Sequence, residues 1–204
     1  MSEEKAKILK IKDVFDLKLS IPDYQRPYKW TVKNVQQLID DLLTHFHHQK
    51  QVYRIGTVVI HKNGEIFDIV DGQQRLITLS LLLYYLNDQN KPSNKSLLDE
   101  TVTHTVSENN IINNYNFIKN YSISDKDKFK NYILEICEMV YVELDDLDEA
   151  FQFFDSQNSK GKPLESYDLL KAYHLREMKD KPKEIIHHCV ERWEKSALSQ
   201  EINN

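Results

Sequence analysis

The chain has 204 residues, of which 40% are hydrophobic and 29% charged, a composition typical of a globular protein with one good core and one or two domains. Its net charge is −5, and residues 1–90 carry 12 basic against 11 acidic side chains, so neither half has the positive excess expected of tight nonspecific binding to duplex DNA. Two cysteines exclude a disulfide scaffold, and only four glycines and five prolines argue against a turn-rich β-sandwich. The composition favours a helix-rich α+β fold.

No targeting signal is evident in the sequence. The N-terminus is charged and lacks the apolar stretch of a secretory signal, and the longest apolar run, Leu76 to Leu86, is too short to span a bilayer. We therefore expect a cytoplasmic protein without a membrane partner.

The first elements in chain order are an amphipathic segment, an extended loop and a helix. Residues 8–19 form the amphipathic segment, and two prolines keep the loop Ile21-Pro-Asp-Tyr-Gln-Arg-Pro-Tyr-Lys-Trp30 extended. Thr31 is placed to cap a helix that runs to about Gln49. Its apolar residues recur at helical spacing and predict core packing: Val35, Leu38, Ile39, Leu42, Leu43 and Phe46.

The loop before this helix is rich in side chains that bind ligands. Aromatic residues alternate with cations, and such a set can stack on a base and contact its phosphates. The same aromatic residues can instead close the edge of the core. Because Gln25 and two prolines accompany them, we favour a ligand-facing role for this set: Tyr24, Arg26, Tyr28, Lys29 and Trp30.

A β-hairpin follows and leads into a buried helix. Tyr53 to Lys62 and Glu65 to Val70 are β-branched and aromatic runs separated by Asn63-Gly64, a strong hairpin signal. The second strand ends at Asp71-Gly-Gln-Gln-Arg75, hereafter the DGQQR junction, and the apolar helix follows directly.

The DGQQR junction has the chemistry of an anion site. A helix that begins after a glycine turn presents unpaired N–H groups at the positive end of its dipole. Arg75 adds a permanent cation with a planar fork of donors, Gln73 and Gln74 add neutral donors and acceptors, and Asp71 is a hard oxygen ligand for Mg²⁺. The alternative is a simple capping box from Asp71 to Gln74, but such a box requires neither the second glutamine nor the arginine.

The second half of the chain is predicted to be mainly helical. Residues 87–100 are polar and contain Pro92, which indicates a boundary between a domain of residues 1–90 and a part of residues 91–204 packed on it. Residues 108–121 and 125–136 are predicted helices, Met139 to Leu144 a strand, and Asp148 to Asp155 a helix. A helix-turn-helix then places Asn158, Ser159, Lys160, Gly161 and Lys162 at its turn, although an ordinary helical hairpin would have the same pattern.

Several common kinds of site are absent from the sequence. His45, His47 and His48 form one histidine cluster and His187 and His188 another, but neither has metal-ligand spacing, and ordinary surface histidines explain both. The chain has no P-loop motif and no nucleophile elbow.

Three segments together resemble the N-terminal domain of GmrSD-type restriction proteins. They are the loop Ile21 to Trp30, the segment Asp71-Gly-Gln-Gln-Arg-Leu-Ile-Thr-Leu79 and the segment from Phe154 to Lys171. Their order and spacing also fit, over about residues 10 to 195. The resemblance implies a fold similar to ParB and sulfiredoxin, in which a strand-to-helix junction binds nucleotide phosphates.

The resemblance also implies which residues line the nucleotide site. It places Asp71, Gly72, Gln73, Gln74 and Arg75 there, together with two further sets: Gln25, Arg26 and Tyr28 from the first loop, and Asn158, Lys160 and Gly161 from the third segment. Lys160 stands where an arginine is usual, which keeps the charge but removes the bidentate fork. The catalytic cysteine of sulfiredoxin has no counterpart in the junction, so that redox activity should be absent.

Members of this family are prokaryotic anti-phage proteins that cut modified foreign DNA. We therefore expect a domain that binds, and hydrolyses, a nucleoside triphosphate with Mg²⁺ and that senses modified DNA for a nuclease. The alternative is a non-enzymatic adaptor that binds modified DNA and recruits the nuclease. Nothing after Trp193 supplies the His-Asn-His-like nuclease motif of most full-length relatives, which indicates a fragment or a stand-alone sensor subunit whose nuclease lies elsewhere.

Overall fold

The computed structural model describes residues 6–22, 25–49, 51–86, 97–98, 105–146 and 149. The chain divides into two compact units, one of residues 1–21 and 27–146 and the other of residues 22–26 and 147–204. The predicted helix from Asp148 to Asp155 and the turn that contains Asn158, Lys160 and Gly161 lie outside the described residues.

The first unit is an α+β fold around a five-stranded mixed sheet, which confirms the expected fold class. The strand order is β1-β5-β3-β4-β2; β1 and β4 are antiparallel to their inner neighbours, and the β3–β5 and β2–β4 pairs are parallel. The strands are β1 Ala6–Lys10, β2 Leu19–Ser20, β3 Tyr53–Asn63, β4 Ile66–Asp71 and β5 Cys137–Leu144. The described helices of this unit, numbered in chain order, are α1 Ile11–Phe15, α2 Val32–His47, α3 Gln73–Leu86, α4 Thr105–Lys119 and α5 Lys126–Glu135.

The observed division differs from the boundary expected between residues 90 and 91. Strand β5 lies between β1 and β3 and pairs with both, so the segment that ends at residue 146 belongs to the same sheet as the first 90 residues. The polar segment after α3 therefore connects two parts of one unit. Local composition marked a loop there but carried no information about the long-range pairing of β5.

Helix α2 forms as its sequence predicts. At its start the backbone N–H of Thr31 donates to Asn34 Oδ1 at 3.1 Å, which closes a capping box. Its buried residues follow the spacing i, i+3, i+4 and i+7, which makes one apolar face: Val35, Leu38, Ile39 and Leu42.

The hairpin also matches its prediction. Asn63 pairs with Ile66 across the turn, and Gly64 adopts a φ of 65°, a left-handed conformation that suits glycine. The turn fixes the register of β4 and therefore the position at which the chain leaves the sheet at Asp71.

Helix α3 is the central element of the core. Its apolar side chains are buried around almost the whole circumference, as expected for a helix that is hydrophobic on all sides. The hydroxyls of Thr78 and Ser80 are also buried, and each donates to the carbonyl four residues earlier, at 2.9 Å. These bonds satisfy the two polar groups inside the apolar helix.

Gly72 makes the sharp connection from β4 to α3. Its φ is 93°, and a Cβ built on it would lie 3.1 Å from the carbonyl oxygen of Thr57 and 3.3 Å from the Cα of Val58. The backbone angle of the junction thus favours glycine, and the close approach to β3 would crowd any side chain there.

Replacing Gly72 should destabilise the fold through both effects. We expect Gly72→Ala to lower the free energy of unfolding by about 1–3 kcal/mol, measured by urea denaturation. Gly64→Ala is the matched control, because Gly64 also has a positive φ but, apart from its chain neighbours, none of the described residues comes within 4 Å of its added Cβ. Equal losses in the two variants would show that crowding against β3 does not contribute.

Candidate functional site

The DGQQR junction lies where the sheet meets the start of the central helix. Asp71 is the last residue of β4 and Gln73 the first of α3, and the backbone N–H of Leu76 donates to the carbonyl of Gly72 at 3.0 Å. The positive end of the dipole of α3 therefore lies at the junction. This arrangement is the strand-to-helix connection that the sequence predicts.

Arg75 extends from the start of α3 to strand β3. Its Nη1 donates to the carbonyl oxygen of Ile55 at 3.3 Å, and its guanidinium lies against the backbone of Gly56. The side chain is partly buried, and within the part of the chain that the structure describes it makes no ion pair with a carboxylate. A guanidinium has five N–H donors, so most of its capacity to bind an anion is left.

Asp71 is partly buried and precedes this arginine by four residues, and no ion pair joins the two side chains. Among the described residues, its carboxylate likewise pairs with no lysine, arginine or histidine within 4 Å. No group of three or more His, Cys, Asp or Glu side chains in those residues is arranged to hold a metal ion. The donor set therefore fits Mg²⁺ only as a metal shared with phosphate oxygens, which is the usual way for Mg²⁺ to bind beside a nucleotide.

The side chain of Gln74 is engaged with the segment of residues 27–30, hereafter the 27–30 loop. Its Oε1 accepts from the backbone N–H groups of Lys29 at 2.8 Å and Trp30 at 3.1 Å, and its Nε2 donates to the carbonyl of Pro27 at 3.2 Å. Both polar atoms of the amide are thus used to hold a backbone segment. Gln74 is 9% exposed and Gln73 5%, so both glutamines lie largely within the fold.

Tyr28 is fully buried rather than exposed to a ligand. Its hydroxyl accepts from Asn114 Nδ2 at 2.9 Å and donates to Thr78 Oγ1 at 2.8 Å, because the hydroxyl hydrogen of Thr78 is used on the carbonyl of Gln74. Burial raises the pKa of Tyr28, and the two hydrogen bonds act in the opposite direction. This geometry corrects the expected ligand-facing role of the Tyr28 ring, which closes the core instead.

Helix α4 holds the 27–30 loop from its other side. Ser107 Oγ accepts from the backbone N–H of Tyr28 at 2.9 Å, Asn110 Nδ2 donates to the carbonyl of Tyr28 at 2.9 Å, and Asn114 Nδ2 donates to the carbonyl of Trp30 at 2.7 Å. These three residues recur at i, i+3 and i+7 and so share one face of the helix.

This polar face was missed in the sequence. Its signal is the run Ser107-Glu-Asn-Asn-Ile-Ile-Asn-Asn114, in which serine and asparagine take positions where an amphipathic helix normally has apolar residues. The structure assigns them a partner, which is the backbone of a loop about 80 residues earlier in the chain.

The other predicted site residues are placed as follows. Gln25 and Arg26 belong to the second unit, where the backbone N–H of Gln25 donates to the carbonyl of Pro22 at 2.9 Å. Asn158, Lys160 and Gly161 lie outside the described residues. Their nucleotide-binding roles stay predictions.

Cys137, His45 and His48 have ordinary environments. Cys137 is buried, which raises the pKa of its thiol to about 12 and keeps it protonated and unreactive at neutral pH. His45 and His48 each place Nδ1 2.7 Å from the carbonyl four residues earlier in α2, as histidines near a helix end often do. None of the helices in the described ranges has both the length and the apolar character needed to cross a membrane.

The fold and the site together define a small α+β domain built around a strand-to-helix DGQQR junction. The family model described as the N-terminal domain of the GmrSD restriction endonuclease matches residues 8–175, most of the chain. The chain belongs to this family and is thus part of a restriction-type defence protein. The resemblance found in the three sequence segments is confirmed. No curated protein matches the sequence.

The hydrogen bonds of Gln74 predict that its side chain stabilises the 27–30 loop. Gln74→Ala removes the acceptor of the Lys29 and Trp30 amides and leaves the carbonyl of Pro27 without its donor, so we expect about 2–3 kcal/mol less stability. Amide exchange at Lys29 and Trp30 should accelerate at least about tenfold. Hydrogen-exchange NMR measures both amides directly.

The control is Gln37→Ala, the same substitution at an exposed position of α2. It should leave the exchange of Lys29 and Trp30 unchanged. If Gln74→Ala also leaves these two rates at the wild-type value, the side chain does not hold the loop.

Proposed function

We propose that this domain binds a nucleoside triphosphate at the DGQQR junction, hydrolyses it with Mg²⁺, and serves as the sensor of a modification-dependent DNA restriction protein. Its partners in this proposal are the nucleotide, modified DNA, and a nuclease domain or subunit that makes the cut. The family supports the restriction context. The chemistry of the DGQQR junction supports the binding of a nucleotide.

The observation that carries the proposal is the electrostatic environment of Arg75. Its partly buried guanidinium rests on the neutral carbonyl of Ile55, and no carboxylate of the described residues neutralises it. A cation removed from water without a counter-ion is costly, and a bound phosphate would supply that counter-ion. The start of α3 adds the positive end of a helix dipole at the same place.

The remaining residues of the junction have distinct proposed roles. Asp71 would share Mg²⁺ with phosphate oxygens, and that ion would neutralise charge on the transferred phosphoryl group. Gly72 allows the chain to turn so that the helix start faces the phosphates. A glutamine of the junction, Gln73 or Gln74, would orient the attacking water.

Replacing Arg75 tests the proposal. Arg75→Ala should weaken nucleotide binding at least about tenfold, since a hydrogen bond to a charged group contributes roughly 1.5–3 kcal/mol. Binding is measured by calorimetric titration of the purified protein with ATP, GTP, CTP and UTP, each with Mg²⁺. Circular dichroism of the variant confirms that it folds.

Arg54→Ala is the matched control, because Arg54 lies on the same strand as the Arg75 contact but is exposed and pairs with Glu138 at 3.6 Å. Its nucleotide affinity should equal that of the wild type. Unchanged affinity in Arg75→Ala would refute the assigned role. If no nucleotide binds to the wild type while modified DNA raises its melting temperature, the non-enzymatic adaptor function replaces this proposal.

A further inference from the structure

Strand β3 contains an irregularity directly beneath the guanidinium of Arg75. In the pairing of β3 with β5, Arg54 lies opposite Glu138 and Gly56 opposite Met139, so Ile55 is an extra residue in β3. This is the pattern of a β-bulge. Gly56 has a φ of 134°, a backbone conformation that L residues with a side chain rarely adopt.

The bulge supplies both contacts of Arg75. It directs the carbonyl of Ile55 at Nη1, and it places the Cα of Gly56 where the guanidinium needs room. A Cβ built on Gly56 would lie 1.8 Å from Nη1 and 2.9 Å from Cζ of Arg75. These distances are far below van der Waals contact, so any side chain at position 56 occupies the place of the guanidinium.

The overlap falls on the end of a flexible side chain rather than on backbone. A larger residue at position 56 would therefore be accommodated by moving the guanidinium, in contrast to position 72, where the nearest atoms belong to the backbone of β3. The steric effect of filling the space beside Gly56 is thus concentrated at Arg75, and the positive φ of Gly56 adds backbone strain to any substitution there.

We infer that Gly56 is a positioning residue of the nucleotide site, which holds the Arg75 guanidinium in the place where it receives phosphate. This inference rests on the proposed function and adds to it a residue outside the DGQQR junction. The bulge at Ile55 and Gly56 fixes the direction of the Arg75 guanidinium. Gly56 itself does not contact the nucleotide and acts on its binding only through Arg75.

A double-mutant cycle on Gly56→Ala and Arg75→Ala tests the inference. In the otherwise wild-type protein, Gly56→Ala should weaken Mg²⁺–nucleotide binding about tenfold. In the Arg75→Ala background it should change the affinity by less than about twofold, because the group on which it acts is gone. If the two substitutions instead lower the nucleotide affinity by independent factors that multiply in the double variant, the inference is wrong.

Gly64→Ala is the control for backbone strain. Gly64 has a φ of 65° and open space around its Cβ position, so this variant carries strain in the same hairpin without touching Arg75. Its nucleotide affinity should stay within about twofold of the wild type. A loss equal to that of Gly56→Ala would show that general strain in the hairpin, and not the position of Arg75, causes the effect.

The same four proteins of the cycle are also unfolded in urea without nucleotide. If Gly56 holds Arg75, the two destabilisations should be non-additive, whereas additive values would show that Gly56 does not act on Arg75. Failure of the wild type to bind any of the four nucleotides would instead refute the proposed function. The unfolding cycle would then still decide whether Gly56 positions Arg75, so the two failures are distinguishable.

Discussion

The left-handed backbone of Gly72 is the constraint on which the site depends. It turns the chain from the end of β4 into α3, close enough to the backbone of β3 that a Cβ would be crowded. Successive residues of a helix point about 100° apart, so the side chains of Gln74 and Arg75 leave the helix start in different directions. Gln74 bonds to the 27–30 loop, and Arg75 lies on the bulge of β3. The start of α3 therefore carries two adjacent side chains with different tasks. Gln74 holds the 27–30 loop, and Arg75 keeps N–H donors for a ligand.

The 27–30 loop shows how polar residues can stabilise a partly buried segment that has no regular secondary structure. Its backbone groups are bonded by Gln74 on one side and by the polar face of α4 on the other, which is how buried backbone avoids unsatisfied donors and acceptors. The side chain of Tyr28 continues this network through Asn114 and Thr78 to the carbonyl of Gln74. Helix α4 is thus connected to the start of α3 by a chain of hydrogen bonds.

Much of the fold could be predicted because its signals are local. Asn63-Gly64 marks the hairpin, Thr31 begins α2, and the apolar run after Arg75 predicts a buried helix; all three elements were found where they were expected. The position of β5 between β1 and β3 could not be predicted, because strand pairing over about 80 residues leaves no local pattern. The same reason explains Tyr28, whose aromatic ring and neighbouring cations fit a binding loop equally well. The ring is buried, and its hydroxyl accepts a hydrogen bond from Asn114, a residue of a distant helix.

We propose above that phosphate of a nucleotide binds to the guanidinium of Arg75 at the start of α3. The most direct measurement is a crystal structure of the protein with a non-hydrolysable nucleoside triphosphate analogue and Mg²⁺. We expect phosphate oxygens within hydrogen-bond distance of Arg75, with the guanidinium still against Gly56 and the 27–30 loop still bonded to Gln74. Nucleotide bound elsewhere, with Arg75 contacting only the carbonyl of Ile55, would contradict it.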